Sequence, residues 1–338
     1  MSETRDRAKG PKTRQTELPG IPPYETEPAP ELPPLETPAP GEYDGATEAT
    51  QKEPVAGPPA SLWSDAWAEL RTNWIFLISA AIILLFTVMA IAPQLFTSAN
   101  PRECFLSNSL VRPSAEHWFG FDLQGCDYYA RTVYGARVSM SIGVTVTLFA
   151  AILAVVMGSL SGYYGGWVDA IIARLTDIWF AIPTILGGIV ILSLLGTRGF
   201  FQVAFVLIIL GWPTMLRLYR SSVISVKEQD YIEAARALGA SDFRILGKHI
   251  LPNAIAPVVI YAAITTGVII SAEAALSFLG VGLQLPAISW GLMISGAQVR
   301  ILQAPHLLLF PGIFLSLAVF GFILMGDALR DALDPKSR

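Results

Sequence analysis

Six apolar runs, residues 74–92, 138–161, 171–195, 200–217, 255–280 and 307–328, each have roughly the length an α-helix needs to cross a bilayer. They decide the fold class. A spanning segment has no water to bond with and must satisfy its own backbone N–H and C=O groups, and these runs lack the two-residue alternation of barrel strands. The expectation is an all-α polytopic membrane protein with six transmembrane helices. Composition agrees, since 53% of the residues are hydrophobic and only 15% are charged. No internal repeat is visible, and nothing points to a nucleic-acid partner.

Orientation follows from the 23 Lys and Arg residues. With the amino terminus inside, only Arg102, Arg112, Arg131, Arg137, Arg198 and Arg300 fall outside. Both termini, including residues 331–338, and the 218–254 loop are therefore expected in the cytoplasm, with the 93–137 loop on the outer face. Residues 1–60 are rich in Pro and Glu and poor in large aliphatics, so they cannot offset their ordering entropy; a disordered cytoplasmic tail without a cleavable leader is expected. In residues 61–73 and just beyond, Trp63, Trp67, Leu70 and Trp74 recur at helical spacing, with Ser61 placed to cap. That stripe predicts an amphipathic helix in the inner interface.

The residues offer little catalytic chemistry. Gly247-Lys248 is the nearest approach to a phosphate loop, but the positions that need Gly and Ser or Thr hold Asp242 and His249. If ATP is involved, another chain must bind it. His117, His249 and His306 are scattered, the cysteines lack zinc spacing and no GxSxG elbow occurs, so neither a metal site nor a catalytic site is expected. Cys104 and Cys126 share the outer, oxidising loop, where a disulfide is expected; closing a loop of that size contributes on the order of 3 kcal/mol.

Charges inside spans are costly and narrow the field. Arg174 with Asp177, and Asp327 with Arg330 at a membrane edge, read as structural charges that let their helices insert. Glu273 has no evident partner within a helical turn. It is a candidate for lining a path, for a contact between subunits, or for an ordinary interhelical hydrogen bond. Gly158, Gly162 and Gly166 form small-xxx-small steps suited to close helix approach, and Pro183 and Pro213 are candidate hinges.

Between two apolar runs stands EAARALGASDFRILGKHILP, Glu233 to Pro252. Good helix formers run from about Glu228 to Leu238, with Tyr231, Ala235 and Leu238 on one face. Gly239 suits a left-handed C′ position, Ser241 can cap a second helix, and Pro252 is expected to end it near Leu251. Ala234 and Ala235 leave room for another backbone, while Glu233, Arg236 and Arg244 offer charges. The pattern predicts a docking element.

Glu233, Ala234, Ala235 and Gly239, followed by Leu251 and Pro252, resemble the EAA signature of permease subunits in ABC importers. His249-Ile-Leu-Pro252 resembles the peptide-transporter branch. HWFGFDLQGCDYYARTVYGAR (117–137), EAALSFLGVGLQLPAISWGLMI (273–294) and GDALRDALDP (326–335) are similar to HxFGTDxxGRDxxSRxxYGAR, ExxLSFLGLGxxxPxPSWGxM and GDxLRDxLDP of the C-type permeases of dipeptide, oligopeptide and nickel importers. Phe121, Cys126 and Ala130 depart from that pattern, standing for Thr, Arg and Ser. Trp290, within the second match, joins Glu273 as a candidate pathway or inter-subunit residue.

The resemblance covers about residues 61 to 335 and implies a type I ABC importer permease fold in a bacterial cytoplasmic membrane. It implies a homologous B-type permease partner, two ATP-binding subunits that hold ATP and Mg, and an extracytoplasmic binding protein that delivers peptide. Glu233, Ala234, Ala235, Arg236, Gly239, Arg244 and Pro252 would couple this subunit to the ATPases. Nickel is the alternative cargo. A secondary transporter would need more mid-membrane ionisable ligands, and a passive scaffold would need no docking loop.

Overall fold

The computed structural model describes residues 62–333; the 1–60 tail, Ser61 as a cap and residues 334–338 lie outside them, as does the side chain of Trp63. The helices are α1 (Leu62–Leu70), α2 (Trp74–Ile91), α3 (Tyr128–Tyr164), α4 (Gly166–Phe180), α5 (Thr184–Leu194), α6 (Phe200–Lys227) and α7 (Asp230–Ala237). There follow α8 (Asp242–Arg244), a π-helical turn (Ile245–Ile250), α9 (Leu251–Ala254), α10 (Ala256–Phe278), α11 (Trp290–Ala297) and α12 (His306–Leu333). Among the described residues there is no strand, only two isolated bridges, Cys104 with Cys126 and Phe121 with Asp127.

Five helices, α2, α3, α6, α10 and α12, are long and apolar enough to cross a membrane. The expected continuous span at 171–195 is instead a broken pair, α4 and α5, bent by 85°. The cause is Pro183, which takes φ −59° and ψ 120°, lacks an N–H, and pushes its predecessor out of helical geometry. Pro213 behaves differently and stays within α6.

Two helices outrun their apolar cores. α3 has 37 residues, about 55 Å of helix, and starts ten residues before the predicted 138. Its polar first turns are satisfied locally. Asp127 caps it by accepting from the Ala130 N–H at 2.8 Å, and Arg131 pairs with Asp122 at 2.6 Å. Arg137 donates to the carbonyls of Ala90 and Ile91, at 2.8 and 3.1 Å, which as the last of α2 have no partner in their own helix. α6 likewise continues to Lys227, so much of the predicted loop from 218 is helix.

The α3–α6 contact forms the core because small residues let the backbones close. A Cβ on Gly158 would stand 2.9 Å from the Tyr219 ring, and one on Gly162 would stand 2.8 Å from Val223. Gly166 does not continue that stripe. It faces open space at φ +54°, in the reversal from α3 to α4.

α1 differs from its expected form. The Trp stripe is interrupted at residues 71–73, where Asn73 caps α2 by accepting from Ile75 and Phe76 N–H groups. Ala66 and Leu70 are buried against Ala328 and Ala332 of α12, while Trp67 and Trp74 stay exposed.

Candidate docking surface

α7 ends in a closed turn. The N–H of Ala240 reaches the Ala235 carbonyl at 3.1 Å and that of Gly239 reaches Arg236 at 3.0 Å, the paired bonds of a Schellman motif. Gly239 adopts φ +78°, a conformation that a Cβ disfavours. The second helix starts at Asp242 after Ser241, although the Ser241 side chain makes no capping bond. Pro252 does not terminate it. The chain widens into the π turn just before the proline and continues as α9 to Ala254. A π turn relieves the clash that proline makes with the carbonyl four residues back, so the ring is accommodated inside the helical segment.

This element is fixed from above and free below. Ile232, Ile245 and Ile250 are each fully buried, in a cluster with Met215, Leu216, Tyr219 and Val223 of α6. The Tyr163 hydroxyl at the end of α3 donates to Asp242 at 2.7 Å, and Lys227 donates to the Tyr163 carbonyl at 2.6 Å. Close by, Arg220 of α6 grips Asp169 of α4 through two hydrogen bonds at 2.6 and 2.5 Å. On the opposite side, Glu233, Ala234, Arg236, Gly239 and Arg244 are exposed. Among the described residues, none of the three charged ones makes an ion pair.

Of the group Tyr231, Ala235 and Leu238 on one face of α7, Tyr231 is exposed and Leu238 is 89% exposed, and Phe243 after the turn is 88% exposed. Ile232 is the inward anchor of α7. Two large apolar side chains flank a rigid turn, with the exposed Glu233, Arg236 and Arg244 beside them. Sequence reading missed both as surface anchors.

At the other end of α3, Cys104 and Cys126 form a disulfide with a Cα separation of 4.1 Å. Asp122 organises the turn beside it, accepting from the Gln124 and Cys126 N–H groups at 2.9 Å each and from Arg131. Arg131 also lies 3.3 Å from the Cys126 sulfur.

The intramembrane candidates separate. Glu273 is fully buried and does have a partner one turn on: its Oε1 accepts from Ser277 at 2.7 Å and from Ser289 at 3.1 Å, tying α10 to the approach of α11. Trp290 is fully buried too. Its indole donates to the Thr132 carbonyl at 2.9 Å and its ring packs against Phe86. Both side chains face other elements of this same chain. Arg174 approaches Asp177 only to 3.7 Å, whereas Arg217 of α6 reaches that carboxylate at 2.7 Å. Asp327 and Arg330 are exposed and make no ion pair among the described residues. No group of three or more His, Cys, Asp or Glu among the described residues could hold a metal.

Comparison with known proteins places the chain in a family. Residues 154–338 match the family model of the binding-protein-dependent transport system inner membrane component, and residues 61–113 match that of the N-terminal TM domain of oligopeptide transport permease C. The chain is 43% identical over 293 residues to the dipeptide transport system permease protein DppC of Alkalihalophilus pseudofirmus, covering 85% of this chain and 96% of that one. It is 38% identical to the oligopeptide transport system permease protein OppC of Bacillus subtilis, with 87% and 96% covered. It is also 38% identical to the glutathione transport system permease protein GsiD of Escherichia coli, with 81% and 90% covered.

Proposed function

The chain belongs to the binding-protein-dependent transport system inner membrane components, in their DppC- and OppC-like branch, and from that premise we propose that it is the C-type permease subunit of an ATP-driven peptide importer. It provides half of the passage, and a homologous B-type subunit provides the rest. Two ATPase subunits bind and hydrolyse ATP beneath the pair, and an extracytoplasmic binding protein delivers peptide to the face that carries the disulfide loop. Both termini and α7 lie on the cytoplasmic side, in keeping with the Lys and Arg distribution.

The observation that carries this reading is the rigid, outward-facing turn of α7. A groove in an ATPase subunit that closes on Leu238 and Phe243 pulls on an element whose other face is anchored by Ile232, Ile245 and the Tyr163–Asp242 hydrogen bond. The pull reaches α3 and α6 directly, and through Arg220 and Asp169 it reaches the bent α4–α5 pair. Motion at the nucleotide site is thereby passed to the span with a break in it.

Vesicles containing the complete complex test the function. Peptide uptake should require the binding protein outside the vesicles and ATP inside them, and should stop with vanadate. Uptake driven by an ion gradient in the absence of ATP contradicts the proposal.

A further inference from the structure

At the end of the bundle that carries the disulfide, a cavity of about 520 Å³ opens between the segment after α2 and the first turns of α3. Ser98, Asn100 and Arg102 wall it on one side, and Tyr134, Arg137 and Val138 on the other. It holds two arginines, and none of the described residues that line it is acidic. Glu103, next to Arg102 in the chain, accepts from the Asn100 side chain at 3.1 Å and forms an ion pair with neither arginine.

Both guanidinium groups have donors left over. Arg137 uses Nε and Nη2 on the Ala90 and Ile91 carbonyls, which leaves Nη1 and its two N–H groups without a partner among the described residues. The Arg102 side chain is exposed and makes no hydrogen bond or ion pair among them.

The height of the cavity decides what it can hold. α2 ends at Ile91 and the apolar run of α3 begins at 138, so Arg137 stands where both helices leave hydrocarbon for water. Further along the same face of α3, seven and eleven residues on, Val144 and Leu148 are 49% and 55% exposed. A ligand with an anion for the arginines and an alkyl chain for this aliphatic strip matches both halves of the site.

We propose that the cavity binds the headgroup of an anionic phospholipid, with its phosphate between Arg102 and Arg137 and an acyl chain along Val144 and Leu148. A guanidinium meets phosphate oxygens through parallel N–H bonds. A headgroup that also carries an amine would bring a third cation to two arginines with no acid to receive it, whereas a glycerol headgroup brings none.

Native mass spectrometry of the complete complex, released from micelles with equal amounts of phosphatidylglycerol and phosphatidylcholine, counts the lipids retained. The unsubstituted complex should retain phosphatidylglycerol over phosphatidylcholine by about fivefold or more. Arg102→Glu should remove one phosphatidylglycerol per copy of this subunit, and Arg102→Lys should keep it. Arg102 is exposed and unpaired, so both variants should assemble, and Arg102→Gln repeats the comparison without adding a negative charge. Equal retention of phosphatidylglycerol in the Lys, Gln and Glu variants overturns the proposal. Displacement of that lipid by an excess of inorganic phosphate would make this a site for free anions, and displacement by a dipeptide would make it a cargo contact; either result overturns the lipid assignment.

Discussion

The indole N–H of Trp179, in α4, donates to the carbonyl of Ile209, in α6, at 2.5 Å. Ile209 stands four residues before Pro213, and that proline has no N–H with which to close the helical bond. Trp179 therefore fills the vacancy that proline creates. The same solution recurs in α12, where the Tyr128 hydroxyl of α3 donates to the Leu307 carbonyl, four residues before Pro311. Each proline thus turns a defect in one helix into a directional joint with another.

Replacing Trp179 with Phe should leave the partly buried Ile209 carbonyl unpaired, lowering the stability of the detergent-purified protein by about 1–3 kcal/mol. In a Pro213→Ala background the helix supplies its own donor, and the cost of Trp179→Phe should shrink by about 1 kcal/mol or more. Thermal unfolding of the four proteins measures the coupling. Equal costs in both backgrounds would show that the indole contributes packing alone.

Gly239 has nothing within 4 Å of where a Cβ would stand, so its constraint is conformational and not steric crowding by neighbours. Gly239→Val should cost about 1–2 kcal/mol in the turn and reduce recovery of the ATPase subunits on affinity purification. Gly239→Asn, which tolerates the left-handed region better, should retain them. Equal recovery with Val and Asn would remove the turn from the docking account.

The Cys104–Cys126 bond closes a loop with a sequence separation of 22. Its loss through paired Cys→Ser substitutions should cost about 3 kcal/mol by the chain-entropy relation. Non-reducing peptide mapping should recover the linked peptides, and the melting temperature should fall on reduction only in the unsubstituted protein. Two alkylatable thiols in the intact protein would contradict the bond.

Much of this was legible in the sequence for a physical reason. Long apolar runs announce spans, and Gly239 announces the turn after α7, because few local alternatives satisfy those residues. What was not legible depends on partners far apart in the chain. Nothing local shows that Arg137 finds the end of α2, so the apolar run from 138 starts ten residues after α3 does. Pro183 and Pro213 look alike in sequence. One breaks its span because no continuing helix forms around it, and the other stays helical with an indole from a different helix in place of its missing N–H. Helical spacing puts Tyr231, Ala235 and Leu238 on one face but does not say which face is buried; that is decided by Ile232, which anchors α7 to the cluster beneath α6.

The claim that α7 joins this subunit to an ATPase is tested most directly by measuring peptide taken up per ATP hydrolysed in vesicles carrying the Leu238→Asp/Phe243→Asp variant. Both side chains are almost wholly exposed, so the substitutions should leave the fold intact. The account predicts normal membrane insertion, loss of ATPase subunits from the purified complex and at least a tenfold fall in ATP-driven uptake. Full recovery of those subunits together with an unchanged ratio of peptide to ATP would contradict it.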